Sequence, residues 1–326
     1  MTTVQRALGV DVGGTRTKLG VVGADGSLLS PHSLPTPSEP DQLCDLIVRE
    51  TAALEERCEL PASTPIGVVV PGVLDEAHER VEMAINLGWR DLPLGSLLRS
   101  RLDAPLAIGH DVRAGALAES AWGACTLLGE APGDGAVPPR DDLIFVPIGT
   151  GIAAAVVHGG DVIGDRYTGE IGQVMVTEPY TGAHVRLEEV ASASAIGRRY
   201  ADQVHRSAVP PEELTYGGRT AARAVVDLAR DGDPDAEQIL FSALDTLAQA
   251  LAAIISSVGP SPIVIGGGLA EGGSIVLDTL HASITARLGV VPCPPVLPSS
   301  LGMWAGCRGA GLLALTRART GSGGIA

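Results

Sequence analysis

Three glycine turns in this sequence each follow a short apolar run: Gly13-Gly14-Thr15, Gly149-Thr150-Gly151 and Gly266-Gly267-Gly268. Backbone N–H groups in such turns can approach phosphate oxygens with no Cβ in the way. The first turn also carries charge, with Asp11 before it and Lys18 after it. A carboxylate there can hold Mg²⁺ through water while Thr15 and Lys18 address phosphates. The competing reading is a plain hairpin that needs positive φ at Gly13 or Gly14. Asp111 follows the apolar run 105–108 and precedes a helical pattern. That place suits a helix N-cap, and it equally suits a general base at the C-terminal edge of a strand, where ligands gather in open α/β sheets. Glu170 and Glu188 can hydrogen-bond ligand hydroxyls or stand as solvated surface groups. The seven histidines show no metal-ligand spacing. Residues 149–154 fit the dinucleotide pattern G-x-G-x-x-A, but a β-branched run ending in Gly159-Gly160 follows where that fingerprint needs a helix. No G-x-x-x-x-G-K-[ST] phosphate loop occurs.

These residues need strands to carry them. Ala7–Val12 and Leu19–Val22 read as strands around the first turn, with a hairpin at 24–26. Residues 41–58 place Leu43, Leu46, Ile47, Leu54 and Cys58 on one helical face. Ile66–Val70 and Pro105–Ile108 read as buried strands, and a helix is predicted from about Val112 to Ala124. The Gly-, Pro- and charge-rich stretch 129–142 reads as a loop. The opening pattern then recurs: strand Leu143–Ile148, turn 149–151, strand Ile152–Val157 and a Gly159-Gly160 turn. Two such units suggest two lobes of similar build. A long helix spans Pro234–Val258, with Asp233 as N-cap and Gly259-Pro260 as its stop, and leads into the strand Pro262–Ile265. The tail 320–326 is expected to be disordered.

Composition narrows the class. The 326 residues suggest about two domains at ~150 residues each. The 45% hydrophobic and 19% charged content excludes wholesale disorder. A net charge of −15 argues against binding a nucleic-acid backbone or an anionic membrane. Aromatics at 3% leave few platforms for stacking bases. The five scattered cysteines suit a reducing cytoplasm. The N-terminus does not read as a signal peptide, and glycines and prolines break the uncharged stretch 246–270, so it does not read as a membrane span.

Leu8-Gly-Val-Asp11-Val-Gly-Gly-Thr15-Arg-Thr-Lys18 resembles the first phosphate motif of the ROK family of repressors and sugar kinases. Gly149-Thr150-Gly151 resembles its second phosphate motif, Gly169-Glu170-Ile171-Gly172 its signature, and Ile263–Gly268 its adenosine-side turn. The resemblance runs from about residue 7 to 316. It implies an α/β, two-lobed actin-like ATPase (ribonuclease H-like) fold with the active site in the interlobe cleft. The N-terminal lobe would be 1–110, completed by a C-terminal helix 306–319, and the C-terminal lobe 111–305. It also implies ATP- and Mg²⁺-dependent phosphoryl transfer to a hexose, usually at the 6-OH, with a glucose-like sugar first in mind. The alternatives are an N-acetylmannosamine or N-acetylglucosamine kinase and a catalytically degenerate sugar-binding protein. A sugar-responsive repressor would carry an extra DNA-binding domain, for which the first motif, starting at residue 8, leaves no room.

By position the resemblance makes Asp111 the catalytic base. Gly72, His110, Asp111, Glu170, Gln173 and Glu188 match sugar-contacting positions. Asp11, Gly13, Gly14, Thr15, Lys18, Gly149, Thr150 and Gly151 match phosphate or Mg²⁺ positions, with Asp11 reaching the metal through water, and Gly266, Gly267 and Gly268 the nucleotide side. Two departures stand out. His110-Asp111 replaces the family's Asn-Asp, and Gln173 replaces a His that precedes a cysteine-rich zinc loop. Here only Thr177–Arg186 lies before Leu187-Glu188, so no structural zinc is expected. The departures bear on how the sugar-facing segment is held and on which sugar is taken. A homodimer is expected, because dimers are the commonest homo-oligomers.

Overall fold

A computed structural model describes residues 6–124, 142–205 and 221–321. In chain order the strands and helices are β1 Arg6–Val12, β2 Arg16–Gly23, β3 Leu28–Pro35, α1 Pro40–Arg57, β4 Ile66–Val70, β5 Val73–Asp75, β6 Arg80–Ala84, β7 Trp89–Leu92, α2 Leu94–Arg99, β8 Leu106–His110 and α3 Asp111–Trp122. They continue with β9 Leu143–Pro147, β10 Ala155–His158, β11 Asp161–Val162, β12 Met175–Thr177, β13 His184–Arg186, α4 Leu187–Ala191, α5 Ala193–His205, α6 Ala221–Arg230, α7 Pro234–Val258, β14 Ile263–Gly266, α8 Ser274–Leu288, β15 Val296–Pro298 and α9 Ala305–Gly321.

The described residues fall into two units. One takes the chain up to Gly123, then Gly160–Thr168 and everything described from Met303 on; the other takes the rest. The first unit is built on the sheet β3-β2-β1-β4-β8. Its β1–β2 and β2–β3 pairs are antiparallel, and β1–β4 and β4–β8 are parallel. Val10, Val12, Leu19, Val68 and Val70 on these strands are fully buried, so the β-branched runs read in the sequence are interior strands. Helix α9 lies against this sheet at very close range. A Cβ on Gly9 or Gly67 would overlap the backbone carbonyls of Cys307 or Ala310, and one on Gly309 would overlap that of Ala114 in α3. A second small sheet, β5-β6-β7, follows β4.

The second unit repeats the plan. Its sheet contains β10-β9-β14-β15, with β9–β10 antiparallel and β9–β14 and β14–β15 parallel. Helix α7 begins as its sequence signals: Asp233 accepts a hydrogen bond from Ala236 N at 2.8 Å, Pro234 opens the first turn, and Gly259 ends it at φ 98°. It is the one helix among the described residues long and apolar enough to cross a membrane, but 67% of that stretch is buried, as in a core helix.

Several sequence expectations need correcting. The unit boundary falls at Gly123 instead of 110, because α3 packs against α9, and residues 160–168 also join the first unit. The strand expected from Ile152 starts at Ala155, because Ala154 N donates to Gly169 O at 2.8 Å and leaves the sheet. Residues 320–321 are helical and not a disordered tail, since nothing breaks α9 before Gly321. Most of the loop 129–142, through residue 141, and Cys125 lie outside the described residues, as do 322–326.

Candidate functional site

In the first unit the β1–β2 register sets Asp11 opposite Lys18. Their side chains form an ion pair at 3.0 Å, with Lys18 Nζ donating to Asp11 Oδ2. Asp11 is buried, and a Cβ on Gly306, at the start of α9, would come within 2.8 Å of its carboxylate. Burial pushes the Asp11 carboxyl up, Lys18 pulls it back, and Asp111 pushes it up again. The turn itself is closed by Gly13 N to Arg16 O at 3.0 Å, and neither Gly13 nor Gly14 has positive φ. The glycines therefore serve close approach and not a left-handed turn. A Cβ on Gly14 would lie 3.2 Å from Asn86 Cβ, so the turn is packed against the β6–β7 connection.

Asp111 is not the N-cap of α3. His110 is: its Nδ1 accepts from Val112 N at 3.2 Å, while Asp111, the first helical residue, accepts from the same N–H through Oδ1 at 2.7 Å. The same His110 Nδ1 lies 3.3 Å from Asp111 Oδ1, so the ring is held against the carboxyl on which α3 begins. Burial pushes the Asp111 carboxyl up to about 6, against the opposing pull of the Val112 N–H and of Lys18. A quarter of its side chain stays accessible. Asp11, Lys18 and Asp111 thus act on one another electrostatically. Gly72 sits at φ 99°, where its Cβ would overlap the Met83 carbonyl. Thr15 is exposed at the head of the turn.

The second unit brings the other residues together. Gly149 and Gly151 lie at the end of β9, and the register sets Gly266 beside Pro147. Ile148 N donates to Gly266 O at 3.0 Å, and Gly267 takes φ 78° against the Ile148 carbonyl. The turns 149–151 and 266–268 are therefore neighbours. A Cβ on Gly149 would meet nothing within 4 Å, whereas one on Gly151 or Gly172 would lie 3.1 Å from Glu188 Oε2. Gln173 Nε2 donates to Glu188 Oε1 at 2.6 Å. Glu170 starts the short turn 171–173 without capping it.

Thr150 and Gly268 lie within these turns. Asn86 is the residue that sequence reading missed: it sits in a short helical turn, Ile85–Leu87, with no motif to mark it.

The sequence model of the ROK family matches residues 7–317. The chain belongs to the ROK family. This ROK chain is 29% identical over 324 residues to a glucokinase of Streptomyces coelicolor, covering 94% of the chain and 96% of that protein. It is 27% identical to an N-acetylmannosamine kinase of Escherichia coli, covering 94% and 97%. Among solved structures, a ROK family glucokinase from Streptomyces griseus in complex with glucose and AMPPNP superposes with a TM-score of 0.76 at 26% identity, covering 95% of this chain and 99% of that one. The ROK sheets described above thus have the actin-like ATPase architecture of these kinases.

Proposed function

We propose that this chain, a sugar kinase of the ROK family, transfers the γ-phosphoryl group of ATP to a hexose hydroxyl, the 6-OH of a glucose-like sugar. The observation that carries the reading is Asp111: a carboxyl pushed up to about 6, at the end of β8, within electrostatic reach of Asp11 and Lys18. A base titrating near the working pH is ionised enough to accept the hydroxyl proton and basic enough to draw it away. Asp111 takes that proton as the oxygen attacks phosphorus, and the bond to the ADP oxygen breaks. Phosphoryl transfer asks the protein for positioning and charge neutralisation more than for covalent help.

The turns 13–15, 149–151 and 266–268 supply backbone donors to the nucleotide, and Lys18 supplies positive charge to its phosphates. A buried carboxylate already tied to Lys18, Asp11 fits Mg²⁺ held through water, with Thr15 nearby. When bound, that ion neutralises phosphate charge. Gly72, His110, Glu170, Gln173 and Glu188 address the sugar hydroxyls. The same reading puts the protein in the cytoplasm as a homodimer with no nucleic-acid or membrane partner.

The N-acetylmannosamine kinase among the relatives supports one second reading, an N-acetylhexosamine kinase. A coupled ADP-release assay with MgATP across glucose, mannose, N-acetylglucosamine, N-acetylmannosamine, fructose and allose decides. Release with glucose above the others supports the first reading, and release with an acetylated sugar the second. No sugar-dependent release with any of them overturns both.

A further inference from the structure

The segment between Gln173 and Glu188 is where the resemblance implies a zinc loop. It has no cysteine, and its one histidine, His184, has its Nδ1 3.4 Å from Thr177 Oγ1. A structural zinc site needs four thiolate or imidazole donors in a tetrahedron, and this donor set does not fit one. The segment folds instead as the hairpin β12–β13, paired from Met175↔Arg186 to Thr177↔His184, and runs directly into α4, which carries Glu188.

The turn of that hairpin is organised around Glu178, which is 4% exposed. Its Oε2 accepts from both the N and Oγ1 of Thr181, each at 2.6 Å. Its Oε1 accepts from Ser242 Oγ on α7 at 2.7 Å, and Ser242 Oγ in turn accepts from Arg199 Nη2 on α5 at 2.7 Å. Arg199 stands 3.6 Å from Glu178 Oε1 and also donates to Val190 O on α4 at 3.2 Å. The backbone closes the same turn, with Glu178 N to Ala183 O at 2.9 Å and Gly182 N to Glu178 O at 2.8 Å. Gln249 on α7 donates to Thr177 O at 2.9 Å, and Leu187 N donates to Val174 O at 2.9 Å. One carboxylate thus ties the hairpin to α7 and, through Arg199, to α4 and α5.

We propose that Glu178 is a positioning residue, a metal-free clamp that holds this hairpin where the resemblance implies a zinc loop, and so fixes Gln173 and Glu188 on the sugar side. The clamp's effect on sugar affinity rests on the sugar-kinase reading; its effect on the hairpin does not. Burial alone would raise the Glu178 carboxyl, but the hydrogen bonds from Thr181, Ser242 and Tyr180 hold it below its ordinary range. It is therefore a charged acceptor, which makes each bond shorter and stronger than a neutral one.

The test compares wild type with Glu178→Ala, Glu178→Gln and Ser242→Ala, reading amide hydrogen exchange over residues 174–188 together with KM for sugar and for ATP. The clamp predicts exchange at least tenfold faster across 181–187 in Glu178→Ala. It also predicts a sugar KM at least fivefold higher with ATP KM within twofold, and intermediate values for Glu178→Gln, which keeps one acceptor oxygen. Chelator treatment of wild type should leave exchange unchanged. Unchanged exchange in folded Glu178→Ala, equal rises in both KM values, or chelator-accelerated exchange in wild type would overturn the proposal. If Glu178→Ala does not fold, Ser242→Ala is judged by the same criteria. If wild type phosphorylates no sugar, the kinase reading fails by itself and exchange alone judges the clamp.

Discussion

The two strand–turn–strand units share a backbone plan and use it for different ends. At the first, β1 and β2 pair over their whole length, from Arg6↔Gly23 to Val12↔Thr17, and that long register holds the buried Asp11 against the half-buried Lys18 in an ion pair. At the second, β9 and β10 pair only over Ala155–Val157, joined by a single bridge between Ile148 and Ile152. No charged side chain lies in that turn, and the space around Gly149 is open. The backbone freed from the sheet binds its own unit instead: Gly149 O accepts from Ala193 N, and Gly172 N donates to Ile152 O. The fully paired copy therefore carries a charged pair, and the partly paired copy a turn without charged side chains.

The largest expected effect separates the copies by charge. In the first unit Asp111→Asn keeps the hydrogen bond from Val112 N but cannot take a proton, so kcat should fall roughly 10²–10⁴-fold. The same change should stabilise the protein. A carboxyl at about 6 instead of 3.8 binds its proton more tightly folded than unfolded, so its ionisation costs the fold up to about 3 kcal/mol above pH 6. Wild-type stability should rise as pH falls from about 6 toward 4, as far as this group sets it, and Asp111→Asn should abolish that rise. Thermal denaturation across that range reads it.

Lys18→Met comes next. It strips the counter-charge from a buried carboxylate, so the melting temperature should drop by an amount equivalent to about 3 kcal/mol, with KM for ATP raised at least tenfold. Calorimetry and initial rates check the two effects separately.

The smallest effect sharpens the contrast between the turns. Gly14→Ala meets Asn86 and should lower both stability and ATP affinity; Gly149→Ala meets nothing within 4 Å and should raise KM for ATP several-fold with the melting temperature unchanged. Equal stability losses in both would erase the distinction.

Much of this was legible in the sequence. The strands around both turns announce themselves through β-branched runs, and α7 through Asp233, Pro234 and Gly259, because those signals are local. What stayed hidden depends on residues far apart in sequence. The capping role of His110 is masked because histidine is outside the usual cap set, so Asp111 draws the attention. Strands of three residues such as β5 are too short for alternation to show. Glu178 looks like a solvated glutamate until Arg199 and Ser242 arrive from two other helices. The reach of the first unit past 110 is set by α3 meeting α9, at the far end of the chain.

If Asp111 is the base, its titration governs the pH dependence of kcat/KM for the sugar, because that quantity reports the free enzyme's titrating groups. Wild type should lose about tenfold per pH unit below pH ~6 and reach a plateau above it, as the position of the Asp111 carboxyl requires. Asp111→Asn, measured at its much lower rate, should show no such acid limb. A wild-type profile flat through pH 6, or an acid limb that persists unchanged in Asp111→Asn, would contradict the account.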